Sequence, residues 1–172
     1  MRALAAFAFL LLVTACQTVP PEAPPLDREA IAAEVQQAFD AWLASGPTND
    51  LEVGTSFFMD DVAPHYIGDP VLFINRLSVY PTKARVLEVF EPSMASRSGT
   101  HYTQESSSFV VLSADAVVQA YQGTYHVTNL EGEDGPEYPQ TASVLWVRHE
   151  GEWKILHYHQ SWSTDVQEEA EG

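Results

Sequence analysis

Apolar side chains recur at helical spacing from Ile31 through Val35, Ala38 and Phe39 to Trp42, which predicts one amphipathic helix with a single buried stripe. Asp27 stands where it can cap that helix, Leu26 and Ile31 have the spacing of a hydrophobic staple, and Ser45-Gly46-Pro47 ends it. A second, shorter helix capped by Asn49 or Asp50 is expected through Leu51, Phe57 and Phe58, with Gly54 weakening its middle. After Asp60-Asp61, Val62 to Ile67 and Val71 to Ile74 read as short strands joined by Gly68-Asp69-Pro70. A third helix is expected around Lys83 to Phe90, with Leu87 and Phe90 turned inward and Pro92 ending or kinking it. From Gly99 the pattern changes to long strands: Tyr102 to Leu112, Ala116 to Thr128, Gln140 to Arg148 and Glu152 to Ser163. Helices first and an antiparallel meander after them is the order of an α+β fold.

Composition narrows the function classes. The 172 residues give room for one domain, and the apolar fraction of 45% with 19% charged residues is that of a globular chain. A net charge of −16 argues against nucleic acid and against a surface patch for anionic lipid, since both need clustered Lys and Arg. An acidic surface of this kind keeps an exported protein soluble. With one cysteine, Cys16, there is no internal disulfide.

That cysteine closes an N-terminal segment with its own logic. Arg2 is followed by the apolar run Ala3 to Val13, too short to span a bilayer as a stable helix, and small residues lead into Val13-Thr14-Ala15-Cys16. The segment resembles a bacterial lipoprotein signal peptide, residues 1–16, with Cys16 as the lipidated residue. The resemblance implies a chain anchored in the cell envelope through several acyl groups, and Gln17 in place of aspartate implies the outer membrane, facing the periplasm, in a Gram-negative cell. Residues 17–26, with Pro20, Pro21, Pro24 and Pro25, read as an extended tether. The folded domain is expected over 27–164 and an acidic tail over 165–172.

The run SVLWVRHEGEWKILHYHQS carries a second resemblance. Trp146 near the end of one strand, the Gly151 turn, Trp153 opening the next strand and His157-x-His159-x-Ser161 are similar to the nuclear transport factor 2-like superfamily. Within it the run resembles in particular the SnoaL-like bacterial members and the association domain of calcium/calmodulin-dependent kinase II. The resemblance implies a cone-like, curved antiparallel sheet wrapped around N-terminal helices. It implies a pocket inside the cone and a homodimer through the outer sheet face.

Alternation in the last strand separates Trp153, Ile155, His157, His159 and Ser161 from Lys154, Leu156, Tyr158, Gln160 and Trp162. By the resemblance, pocket arginines of the association domain fall here on Gly123, Val144 and Gln160. This places Gln119, Tyr121, Tyr125, Trp146, Tyr158 and Gln160 on the pocket side, with Tyr66 on the first hairpin, and removes those arginines. The inferred ligand is small, neutral and partly apolar.

His157 and His159 are expected at the dimer face, and no third ligand has metal-site spacing to them, so neither metal nor cofactor is expected. A bulge would exchange the faces of that strand and bring the pair into the pocket. The alternative is an acid–base enzyme, an isomerase or dehydratase, working through Asp69, His157 and His159. His65, with Tyr66 and Asp69, sits where the resemblance implies pocket residues on the first hairpin, and Asp69, His101 and Glu105 are candidates by residue type alone. No nucleophile elbow or phosphate loop is present. A ligand binder or assembly module is the preferred reading over an enzyme.

Overall fold

The computed structural model describes residues 25–59, 72–75, 78–80 and 82–162. The first long helix, α1 (Arg28–Ser45), begins where Asp27 accepts a hydrogen bond from the Ala30 amide at 3.0 Å, as its capping role requires. Its stripe is buried, with Val35 and Phe39 at 0% exposure. A single 3₁₀ turn (Gly46–Thr48) leads to α2 (Leu51–Thr55), capped by Asp50, which accepts from the Val53 amide at 3.1 Å. The helix is shorter than expected: Phe57 and Phe58 lie beyond it, and Met59 and Phe57 pair through their backbones with Ile155.

Strands β1 (Leu72–Asn75) and β2 (Ser78–Tyr80) follow, then α3 (Lys83–Met94), capped by the Thr82 hydroxyl. Pro92 lies in the last turn of α3 rather than ending it at Phe90. There its missing N–H removes one hydrogen bond near an end that has spare carbonyls anyway. Val86 is the buried residue of this helix, while Leu87 is only half-buried. The expected strand from Val62 to Ile67 lies outside the described residues.

Four long strands complete the chain: β3 (Gly99–Ser113), β4 (Ala116–Thr128), β5 (Tyr138–His149) and β6 (Glu152–Trp162). They pair antiparallel in sequence order, and β1 adds to β6 in parallel, giving the sheet order β2-β1-β6-β5-β4-β3. The antiparallel expectation therefore holds for the four long strands. Strand β1 pairs antiparallel with β2 but parallel with β6, the one parallel pairing among the described strands. The β5–β6 turn is a tight one, with Glu150 at φ 51° and Gly151 at φ 87°, the left-handed pair that a two-residue hairpin demands.

The core lies between α1 and the concave face of the sheet. Phe39 packs on Tyr121 at 4.8 Å and meets Trp146 edge-on at 6.4 Å. Trp42 meets Tyr158 at 5.2 Å and stacks on Tyr102 at 6.0 Å. At the outer end of α1, Glu34 accepts from Arg148 and from the Trp153 indole, whose ring also lies 4.4 Å beneath the Arg148 guanidinium.

One irregularity decides which side chains enter that core. Leu145 pairs with His157 but Trp146 pairs with Ile155, so Leu156 is an extra residue in β6. The strict alternation expected for this strand breaks there. Trp153 and Ile155 before the bulge share the concave face with Tyr158 and Gln160 after it, and all four are buried. His157 and His159 stay on the outer face, His159 exposed.

Candidate functional site

A cavity of about 120 Å³ opens between the helices and the far end of the sheet. Its apolar wall is Trp42 from α1, Leu51 from α2, Phe58, and Val86, Phe90 and Met94 from α3. Tyr102, Tyr158 and Gln160 close it from the sheet side, and Ser45, Asp50, Thr55, Arg97 and Thr100 are its remaining polar lining. Engineered apolar cavities of about 150 Å³ take a benzene ring, so this space suits one ring-sized group.

The connection that shapes its end is well tied. Asn49 sits in the left-handed region at φ 52° and donates through its amide to the carbonyls of Met94 and Arg97, at 3.1 and 2.7 Å. That single side chain fixes the start of α2 against the end of α3. Arg97 donates to Thr100 Oγ1 at 3.0 Å and to Ser93 Oγ at 2.7 Å, and its Nε is buried without a partner among the described residues.

A directed hydrogen-bond chain runs from the core under α1 to the cavity wall. Tyr158 donates to Gln160 Oε1 at 2.9 Å, so the 2.8 Å contact between the Tyr121 and Tyr158 hydroxyls has Tyr121 as donor. The chain ends with the Gln160 amide nitrogen available as a donor. Burial pushes the phenols of Tyr158 and Tyr121 well up, and that of Tyr102 up to about 12. All three are therefore neutral hydrogen-bonding groups at physiological pH, not bases.

The residues expected on the pocket side divide into three groups. Tyr158 and Gln160 line the cavity. Gln119, Tyr121 and Trp146 are on the concave face but sealed under α1: the Trp146 indole donates to Gln119 Oε1 at 2.8 Å, and Gln119 donates onward to Ser107 Oγ at 2.8 Å. Those polar groups bond one another inside the core, with Gln119 and Trp146 at 0% exposure and outside the cavity lining. Tyr125 stands further along, 6.2 Å from the Tyr102 ring and 6.0 Å from the Trp162 ring.

Tyr66, His65 and Asp69 lie outside the described residues. Glu105 is the exposed residue skipped by the β3–β4 register, and His101 is on the outer face. His157 and His159 are also outside the cone, so neither can serve the catalytic role of the alternative reading within it. Burial, and then the neighbouring His159, hold the His157 imidazole below its ordinary pKa.

An arginine-free pocket does not hold either. Gly123, Val144 and Gln160 carry no arginine, but Arg97 reaches the cavity from the α3–β3 connection. Nothing in its Ser-Arg-Ser surroundings marks it, since no periodic element contains it. Trp42 and Phe90 were legible as inward positions of their helices. Met94 and Val86 were not.

The SnoaL-like domain family matches residues 35–165, and the chain belongs to that family. Among solved structures, a Xanthomonas campestris protein described as a calcium/calmodulin-dependent kinase II association domain is similar at TM-score 0.63 and 20% identity, over 78% of this chain and 89% of that one. A Streptomyces avermitilis protein described as a dehydratase of the nuclear transport factor 2-like family gives 0.65 and 17%, over 77% and 97%. A Novosphingobium aromaticivorans protein described as a scytalone dehydratase gives 0.65 and 9%, over 78% and 85%. At such identities the likeness concerns the fold, a helix-filled, curved sheet of the nuclear transport factor 2-like type. No curated protein sequence matches the chain.

Proposed function

We propose that the domain is a binding module whose cavity takes one small, ring-sized apolar group carrying a hydrogen-bond acceptor. The observation that carries this is the composition of the cavity wall. Six large apolar side chains surround the space, and beside the Asp50 carboxylate and the Ser45, Thr55 and Thr100 hydroxyls its polar lining includes three donors: the Arg97 guanidinium, the Tyr102 phenol and the end of the Tyr121–Tyr158–Gln160 chain. Convergent donors in an apolar cleft orient an acceptor. The arginine extends the expected neutral ligand to one with a carbonyl or carboxylate end.

We further propose that the chain is lipidated at Cys16, held at the envelope surface by its proline-rich tether, and paired with a second copy through the outer sheet face. Small residues such as Ser108, Ala120, Thr141 and Ser143 hollow that face, and Val110 and Leu112 are exposed at 59% and 56%. His157 and His159 would then meet the partner sheet. In an outer-membrane location the domain would face the periplasm.

The alternative is an acid–base enzyme of the isomerase or dehydratase type. Proteins of the same fold are described as dehydratases. Among the described cavity residues the carboxylate is Asp50, whose Oδ1 caps α2, and no histidine is present. Such chemistry would rest on Asp69 or His65. Native mass spectrometry of the full chain, purified gently from a bacterial host, tests the preferred reading. A reproducible small adduct lost in a cavity-filling Gly54→Phe variant supports it. An adduct converted to a product on incubation favours the enzyme.

A further inference from the structure

The sheet register sets His101 of β3 directly opposite His126 of β4, and the two imidazoles stack at 4.8 Å and 11°. The β4–β5 loop folds back onto this pair: Thr128 and Asp134 form an isolated bridge, and Thr128 Oγ1 donates to Asp134 Oδ1 at 2.7 Å. One ligand atom from each of His101, His126 and Asp134 lies within 4.8 Å of the others. We propose that these three residues form a site for a divalent transition-metal ion of the zinc class, with Glu137 orienting His126.

More than proximity supports this assignment. His126 presents Nε2 toward Asp134 Oδ1 at 3.5 Å and Nδ1 toward Glu137 Oε1 at 4.0 Å. A neutral imidazole carries one proton. Placed on Nδ1, toward Glu137, it leaves the Nε2 lone pair on the side of Asp134 and His101. Closing the 4.0 Å gap to Glu137 to hydrogen-bond length would complete the carboxylate–histidine–metal arrangement that fixes the tautomer and raises ligand basicity. Asp134 is held on a defined turn as well, with the Glu133 amide bonded to Asn129 Oδ1 at 2.8 Å and the Gly135 amide to the Val127 carbonyl at 2.8 Å.

Two imidazoles and a carboxylate suit Zn²⁺, Ni²⁺ or Cu²⁺, whereas Mg²⁺ and Ca²⁺ prefer all-oxygen shells. Neighbouring donors in a tetrahedral zinc site are about 3.3 Å apart, so the rings close on the ion by side-chain rotation while the paired strands hold their backbones. The fourth position is left to water. His101 stands between Thr100 and Tyr102, which line the cavity from the other face of β3. The ion ties this rim strand to the β4–β5 loop. The expectation of no metal site considered the pair His157 and His159. It is a different pair, brought together by strand pairing over a long stretch of sequence, that has the ligand set.

The test is calorimetric titration of the full chain, stripped with chelator, with Zn²⁺, and with Mg²⁺ and Ca²⁺ as controls. Long-range ¹H–¹⁵N spectra of the imidazoles are recorded on the same unmodified protein. The expected result is one Zn²⁺ at micromolar affinity or tighter, with shifts at His101 and His126 and at none of the other four of the six histidines. His126→Ala and Asp134→Asn weaken binding at least about tenfold, and Glu137→Gln weakens it by about tenfold, with circular dichroism confirming each fold. Absence of zinc uptake, shifts centred on His157 and His159, or unchanged affinity in His126→Ala would each overturn the assignment. The spectra of the unmodified chain keep the test decisive if a variant fails to fold.

Discussion

Replacing Gly123 by alanine should strike the curvature that makes the cone. Gly123 is buried in β4, and a Cβ built on it would lie 1.9 Å from the Thr103 carbonyl oxygen and 3.2 Å from Gln104 Cα. Both are backbone atoms of β3, beside the bulge between Gln104 and Ser106, so no side-chain rotation relieves the contact. Restoring a tolerable separation of about 3.0 Å needs a retreat of β3 by roughly 1 Å, which lengthens ladder hydrogen bonds on both sides. Overpacking of this kind costs about 2–3 kcal/mol. For a domain of this size that is a fall in Tm of about 5–10 °C, and with a urea m-value of about 2 kcal/mol/M a fall in midpoint of about 1 M. Gly54→Ala is the control, because its Cβ would meet nothing nearer than Ser45 Oγ at 3.8 Å and it sits within α2. Helix propensity predicts a gain of about 0.5–1 kcal/mol there. Urea unfolding followed by circular dichroism measures both. A Gly123→Ala protein within about 0.5 kcal/mol of the parent would refute the close approach of β3 to β4, since only surface changes away from such contacts are that mild.

Three further expectations concern single groups. Tyr158→Phe strands the Tyr121 hydroxyl and Gln160 Oε1 without their shared partner, and should cost about 1–3 kcal/mol in the same unfolding assay. Tyr102 has its pKa raised to about 12, so between pH 10 and 12 the unfolded chain loses a proton that the folded one keeps. Stability present below pH 10 should therefore decline across that window, and the Tyr102 phenolate absorbance, isolated as the difference from a Tyr102→Phe variant, should rise together with unfolding rather than before it. His157 has its pKa lowered, so its contribution is present above the ordinary imidazole value and is lost as pH falls. If the pair faces a partner sheet, light scattering should show dissociation between pH 8 and pH 5, and an unchanged mass would count against that placement. Cys16→Ser should release the chain from the membrane fraction of a bacterial host, where lipidation would otherwise hold it.

Local patterns carried the helices and the long strands, because capping and periodicity are properties of neighbouring residues. Asp27, Asp50 and the Glu150-Gly151 turn did in space what their sequence positions announced. What depended on pairing over distance was hidden. The extra residue at Leu156 moves Trp153 and Ile155 to the concave face, and β-branched and aromatic residues on both faces of that strand mask the switch. The parallel pairing of β1 with β6 has no local signal at all. At the site, the concave-face aromatics were readable, but which of them touch open space was not. Gln119 and Trp146 are closed off by their mutual hydrogen bond and by Phe39, while Arg97 enters from an aperiodic connection. The facing of His101 and His126 likewise follows only from the register of β3 on β4.

Whether the cone is a binding site is tested most directly by fluorescence titration of the full chain with single-ring probes, benzoate and benzyl alcohol among them. Trp42 lines the cavity and reports occupancy. The expected result is a saturable change in tryptophan emission, tighter for benzoate than for benzyl alcohol, lost when Gly54→Phe fills the space and equalised between the two probes by Arg97→Gln. Emission that never saturates, or that saturates identically in the filled variant, would contradict a ligand cavity between α1, α3 and β6.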